Sequence, residues 1–170
     1  MIGSLRGAII YKTKDKIEID INGIGHEVHL GTRDLNKVKN GEDVEVFTYH
    51  HLSEDKNELF GFINRADKSI FEMLISVSGI GPKSAMGITS MGSSEQIIKA
   101  ISEADVDYFK QVKGIGKKSA QRIIVDLKSE VGGVKDLDFE QEAKNEIVYQ
   151  ALQTLGFHRE EIRKALSELP

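Results

Sequence analysis

Val77-Ser-Gly-Ile-Gly-Pro-Lys-Ser-Ala85 and Val112-Lys-Gly-Ile-Gly-Lys-Lys-Ser-Ala120 agree at seven of nine positions and lie 35 residues apart. In each copy two glycines (Gly79 and Gly81, then Gly114 and Gly116) end one helix, turn the chain and open the next helix without a Cβ in the way. A helix N-terminus carries about half a positive charge on its unpaired N–H groups, so a bare one suits a phosphate oxygen. Pro82 stands at the expected first helical position, where a missing N–H costs nothing. A single Gly-x-Gly is equally well a helix cap. Here both copies also carry a Lys (Lys83, Lys118) and a Ser (Ser84, Ser119) at matching offsets, which packing alone does not require.

The duplicated pattern resembles a pair of helix-hairpin-helix motifs, which hold the nucleic-acid backbone without reading base sequence. The net charge of −4 argues superficially against such a partner, but charge is unevenly spread. Residues 110–128 hold Lys110, Lys113, Lys117, Lys118, Arg122 and Lys128 against Asp126 alone. A local charge of +5 around the second hairpin is an electrostatic footprint on an otherwise acidic chain.

The chain reads as α+β in several units. Residues 1–64 are expected to form an OB-like β-barrel. Ile17-Glu-Ile-Asp-Ile21 alternates and meets Asn22-Gly23, a type I′ hairpin signal, before His26-Glu-Val-His-Leu30 resumes a strand. Asp43-Val-Glu-Val-Phe-Thr-Tyr49, Leu59-Phe-Gly-Phe-Ile63 and the segment Met1–Tyr11 bring the total to about five strands, and closure removes their edges. Residues 65–131 are expected to form the all-helical tandem hairpin domain. Ile70, Met73, Leu74 and Val77 make one apolar face. Ile97, Ile98 and Ile101 make another, entered through the capping-box spacing Ser93-Ser-Glu-Gln96. Ala120, Ile123, Ile124, Leu127 and Val131 make a third, which leaves Lys118 and Arg122 elsewhere on that helix. Gly132-Gly133 and Asp136-Leu-Asp138 break the pattern and read as a linker, 132–139. Residues 140–170 read as a small helical unit whose Leu155-Gly-Phe157 turn resembles ubiquitin-associated (UBA-like) three-helix bundles. A third helix is missing from it, so the expectation is an incomplete or truncated module.

No catalytic constellation stands out, and neither a cofactor nor a metal is expected. His26 and His29 sit three apart on a strand, where they face opposite sides, and a metal site of the zincin kind needs i and i+4 on a helix. No phosphate-binding Gly-x-x-x-x-Gly-Lys-Ser/Thr occurs, so ATP-driven work falls to a partner. The chain has no Cys, no apolar run of membrane-spanning length and no leader pattern at its start, which makes the cytoplasm the expected compartment. Ser53-Glu-Asp-Lys-Asn57, between two strands, is by itself an ordinary acidic turn.

Taken in order, Met1-Ile-Gly-Ser-Leu-Arg-Gly7, Gly23-Ile-Gly-His-Glu-Val28, Glu54-Asp55, Leu59-Phe-Gly-Phe62, the tandem Gly-Ile-Gly hairpins and the small helical end resemble the RuvA family of bacterial Holliday-junction-binding proteins, along nearly the whole chain. That resemblance implies a four-fold symmetric tetramer, or two of them as an octamer, holding a four-way junction open and flat. It implies DNA contacts at Gly79, Gly81, Lys83 and Ser84, and at Gly114, Gly116, Lys117, Lys118, Ser119 and Arg122. Glu54 and Asp55 become an acidic pin beside the crossover. Eight such carboxylates gather in a tetramer. Two unit charges 4 Å apart interact by about 1 kcal/mol in water and about 4 kcal/mol at an effective dielectric of 20, so repulsion can choose between DNA shapes. Phe157 and Ile162 in the C-terminal unit become candidate contacts for the RuvB ATPase, with the RuvC resolvase as a further partner and no membrane. In one departure, Ser53 stands where the family commonly has Arg.

Two rival readings follow from the same residues. One is a hairpin-anchored repair enzyme of the base-excision kind, with Asp126 or Asp136 as its acid, although no aromatic-walled base pocket is evident. The other is a hairpin module for ordinary duplex DNA. Competition between junction and duplex separates the latter from the junction reading.

Overall fold

The computed structural model describes residues 1–134. Its first half is a closed five-stranded barrel: β1 (Ser4–Lys12), β2 (Lys16–Ile21), β3 (Ile24–Leu30), β4 (Asp43–Leu52) and β5 (Asn57–Phe62), ordered β1-β2-β3-β5-β4 and back to β1. Every pairing is antiparallel except β3 with β5. The β2–β3 connection is the expected type I′ turn, since Asn22 (φ 55°) and Gly23 (φ 85°) are both left-handed. A short helix, α1 (Thr32–Leu35), interrupts the strands between β3 and β4. It escaped the sequence reading because four residues carry no helical period.

Helices follow: α2 (Arg65–Ser76), α3 (Pro82–Met91), α4 (Ser94–Ser102), α5 (Val106–Lys110) and α6 (Lys117–Val134). The Ser93 hydroxyl accepts from the Gln96 N–H while the Gln96 side chain accepts from the Ser93 N–H, so the capping box at the start of α4 forms in full. The expected core stripe of α6 is buried from Ala120 to Val131. Helix α6 continues through Gly132 and Gly133 to Val134, where the sequence had suggested a break. Two glycines at the end of an 18-residue helix weaken it by about 1 kcal/mol each without ending it. The chain divides into compact units between Gly132 and Gly133.

Barrel and helices meet through β5. Leu59 belongs to the barrel core and Gly61 also faces inward, where a Cβ would come within 2.5 Å of Val28 Cγ1. The alternate residues Phe60 and Phe62 enter the helical core, with ring centroids 5.6 and 5.0 Å from Phe71 of α2. Period two therefore explains why Leu59-Phe-Gly-Phe62 is apolar throughout: the strand is buried on both faces. A partly buried ion pair adds to this seam. Arg33 of α1 donates to Asp67 of α2 and to the Gly92 carbonyl after α3, while Asn64 caps α2 by accepting from the Asp67 N–H at 2.7 Å. Removing Arg33 would leave the Asp67 carboxylate buried without its cation, which is destabilising, whereas Arg33 keeps some access to water.

Candidate nucleic-acid interface

In each Gly-Ile-Gly loop the apolar residues turn in and the glycines turn out. Val77 and Ile80, and likewise Val112 and Ile115, are buried in one continuous helical core. The same hydrogen bonds recur. Val77 N–H donates to Leu74 O and Ile80 N–H to Val77 O, and 35 residues on Val112 N–H donates to Phe109 O and Ile115 N–H to Val112 O. Gly79 (φ 89°) and Gly114 (φ 91°) take the left-handed turn that a β-carbon disfavours.

Gly81 and Gly116 have no such conformational need. Gly81 has φ −91°, Gly116 is not left-handed, and a Cβ on either would meet open space. Each stands at a helix N-cap, a position that tolerates glycine well, and the open space in front of it leaves the helix start uncovered by the chain itself. The first helical N–H groups to find carbonyls are those of Ala85, to Gly81 O, and Ala120, to Gly116 O, both at 3.0 Å. The N–H groups of Lys83 and Ser84, and of Lys117, Lys118 and Ser119, thus find no hydrogen-bond partner among the described residues at the two helix N-termini.

Lys83, Lys117, Lys118 and Arg122 are exposed and Ser84 and Ser119 half-buried, so the structure brings each predicted set together around its own helix start. Two members of the basic footprint are already paired. Lys110 donates to Asp107 at 2.7 Å and holds that carboxyl below the ordinary carboxylate range, and Arg122 Nε lies 3.6 Å from Asp126 Oδ2. Exposed pairs of this kind are worth about 1 kcal/mol or less, so a phosphate can compete for either cation. Lys113, beside Gly114 in the second loop, is exposed and has no ion pair among the described residues. It belongs to the basic footprint, and the loop repeat places it directly before the left-handed Gly114.

The two halves are packed directly together. A Cβ on Gly87 of α3 would lie 2.7 Å from Val112 Cγ1, so the helix of the first hairpin is bare where the second loop presses on it. On another side of α3, a Cβ on Gly31 of the barrel would lie 2.3 Å from Ser90 Oγ.

Glu54 and Asp55 occupy the exposed two-residue turn joining β4 and β5, closed by Ser53 N–H to Lys56 O at 2.9 Å. The Ser53 hydroxyl donates to Asp55 Oδ1 at 2.9 Å and holds the Asp55 carboxyl below its ordinary range, so this turn is charged at any physiological pH. His29 stacks on Phe60 at 5.1 Å, and burial, with Lys16 adding to it, pushes its imidazole down toward the neutral form. Among the described residues there is no grouping of three or more His, Asp or Glu side chains suited to a metal, and no helix long and apolar enough to cross a membrane. Phe157, Ile162 and Asp136 lie outside the described residues.

Comparison with known proteins supplies the family. Residues 1–61 match the RuvA N terminal domain, and residues 71–129 match the SAM-like helix-hairpin-helix tandem. The chain is 37% identical over 174 residues to the Holliday junction branch migration complex subunit RuvA of Fusobacterium nucleatum subsp. nucleatum, covering 99% of this chain and 88% of that protein. The proteins of the same name from Marinomonas sp. and Bacillus velezensis are 35% and 37% identical over 182 residues, covering 100% and 99% of this chain and 90% of each relative.

Proposed function

This chain belongs to the RuvA family, and we propose that it binds four-way DNA junctions as the non-catalytic subunit of a branch migration complex. One observation supports the reading most: two helix N-termini of the same design, each opened by a glycine with open space in front of it. Donors of this kind bind phosphate whatever the base sequence, as a protein that must follow a moving branch point requires.

The grip combines Gly79, Gly81, Lys83 and Ser84 with Gly114, Gly116, Lys117, Lys118, Ser119 and Arg122. Backbone N–H groups position a phosphate oxygen, the lysines neutralise charge, and the hydroxyls add a donor. Selection of junction over duplex falls to Glu54 and Asp55. Four copies of a charged hairpin tip leave no low-energy path for a continuous duplex across the centre, whereas an opened junction keeps its phosphates at a distance. Assembly as a tetramer, or as an octamer of two tetramers, gathers these tips around one junction. RuvB supplies the ATP-driven movement through contacts on the C-terminal unit, with Phe157 and Ile162 as the candidates, and RuvC acts on the same junction. The compartment is the bacterial cytoplasm.

Competition tests the reading. Unlabelled four-way junction should displace labelled junction at a concentration at least about tenfold lower than linear duplex of equal length and composition, a difference of about 1.4 kcal/mol. Equal competition would end the junction reading in favour of a general duplex-binding module.

A further inference from the structure

The outer end of the β4–β5 hairpin projects beyond the barrel. The β1 ladder on β4 stops at Ser4 opposite Phe47, and the β3 ladder on β5 begins at His29 opposite Phe60. His50–Leu52 and Asn57–Leu59 therefore pair only with each other among the described residues. This two-stranded end has two faces. Tyr49 and His51 occupy one, where Tyr49 lies 5.4 Å from the Phe71 ring and His51 stands edge-on to Phe60 at 6.4 Å, so that face rests on the molecule's own aromatics.

The other face carries His50, Leu52 and Asn57. Leu52 sits directly opposite Asn57, and His50 Nε2 lies 2.7 Å from Asn57 Oδ1, which leaves the Asn57 amino group free to donate. Leu52 is 70% exposed. Isolated exposed leucines are common, but this one is the last residue of β4, two positions from Glu54 and at the root of a turn bearing two carboxylates. Those charges exclude phosphates from the tip. The part of DNA that tolerates the neighbourhood is the base: uncharged, with an apolar face and hydrogen-bonding edges.

We propose that Leu52, with Asn57 beside it, is a base-contacting wedge: the leucine lies against the face of a nucleobase unstacked at the branch point, while Glu54 and Asp55 hold the phosphates off. The inference rests on the junction reading above and deepens it by giving the hairpin an attractive contact as well as a repulsive one. Inserted leucine, phenylalanine and methionine side chains are an established means of covering an unstacked base step, at a cost of a few kcal/mol in lost stacking that the contact offsets.

The test uses the whole chain and a four-way junction carrying 2-aminopurine in the base pair next to the crossover. Fluorescence should rise when the unaltered protein binds, as the base leaves its stack. L52S should lose most of that rise while junction affinity changes by less than about tenfold, and L52F should restore it. An unchanged signal in L52S, or no rise with the unaltered protein although it selects junctions, overturns the wedge and leaves the junction reading standing. A change in the native mass of free L52S also overturns it, because Leu52 is then covered by another copy of the chain. A protein that binds junction and duplex alike sinks both.

Discussion

The two hairpins share a backbone but differ in charge. Val77–Ala85 and Val112–Ala120 repeat the same buried residues, the same left-handed glycine and the same hydrogen bonds. Yet where the second copy has Lys113, Lys117 and Arg122, the first has Ser78, Pro82 and Gly87. At position 87 the reason lies in what surrounds the helix, whereas Ser78 is exposed like its counterpart Lys113. Helix α3 is wedged between the barrel, at Gly31, and the second loop, at Val112, so a long cation at position 87 has no room. Helix α6 keeps Gln121, Arg122, Val125 and Asp126 exposed. The hydrogen-bonding device is common to both copies, whereas packing excludes a cation at position 87 and leaves room for one at 122. The second hairpin also has one donor more, since Lys117 has an N–H and Pro82 has none.

The largest expected effect tests the shared part. G81V and G116V should each weaken junction binding about a hundredfold, close to the loss of one charge-assisted hydrogen bond of about 3 kcal/mol, while the fold loses only about 1 kcal/mol by urea unfolding, the cost of a poorer N-cap residue in otherwise open space. Similar losses in both would establish that the backbone grip is equal, and a large loss in one alone would break the equivalence.

Next is the contact between copies. G87A should destabilise the fold by about 1–3 kcal/mol through overpacking against Val112, despite the roughly 1 kcal/mol that alanine gains over glycine in a helix. Urea unfolding measures it. A stabilised variant would show that the two hairpins are not in fixed register.

The charge difference should appear in salt dependence. K118A and K83A should each make the slope of log K against log salt shallower by about 0.9, and K113A should do the same only in the second hairpin. The reciprocal change S78K should steepen it by a similar amount. If K113A leaves the slope unchanged, the second hairpin owes nothing to its extra cation.

The smallest effect concerns the acidic turn, which neither hairpin contains. Asp55 is held low by Ser53, so its charge outlasts a fall in pH through the ordinary carboxylate range. S53A should raise the Asp55 titration toward that range, as followed by carboxyl-carbon NMR, with junction selectivity at neutral pH unaltered because Asp55 is ionised in both. A titration that stays where it was would show that the turn backbone, and not the Ser53 hydroxyl, sets it.

What the sequence determined by itself was mostly local or periodic, although the local break expected at Gly132-Gly133 is not where α6 ends. The Asn22-Gly23 turn, the Ser93 capping box, the strand alternation and the apolar stripe of α6 each follow from contacts within a few residues, and the structure has them all. The repeat likewise made the duplicated loop legible, because one hairpin's backbone geometry is contained in nine consecutive residues. Tertiary structure alone decided what depends on distant partners. Helix α1 exists through the Arg33–Asp67 pair and the Asp34 carboxylate that accepts from the Ile63 N–H, 29 positions away, and not through any period of its own. The double burial of β5, the bare face of α3 at Gly87 and the exposure of Leu52 beyond the end of the barrel ladders have the same origin. They are set by which elements approach one another, and a residue's own neighbours in the chain do not encode that.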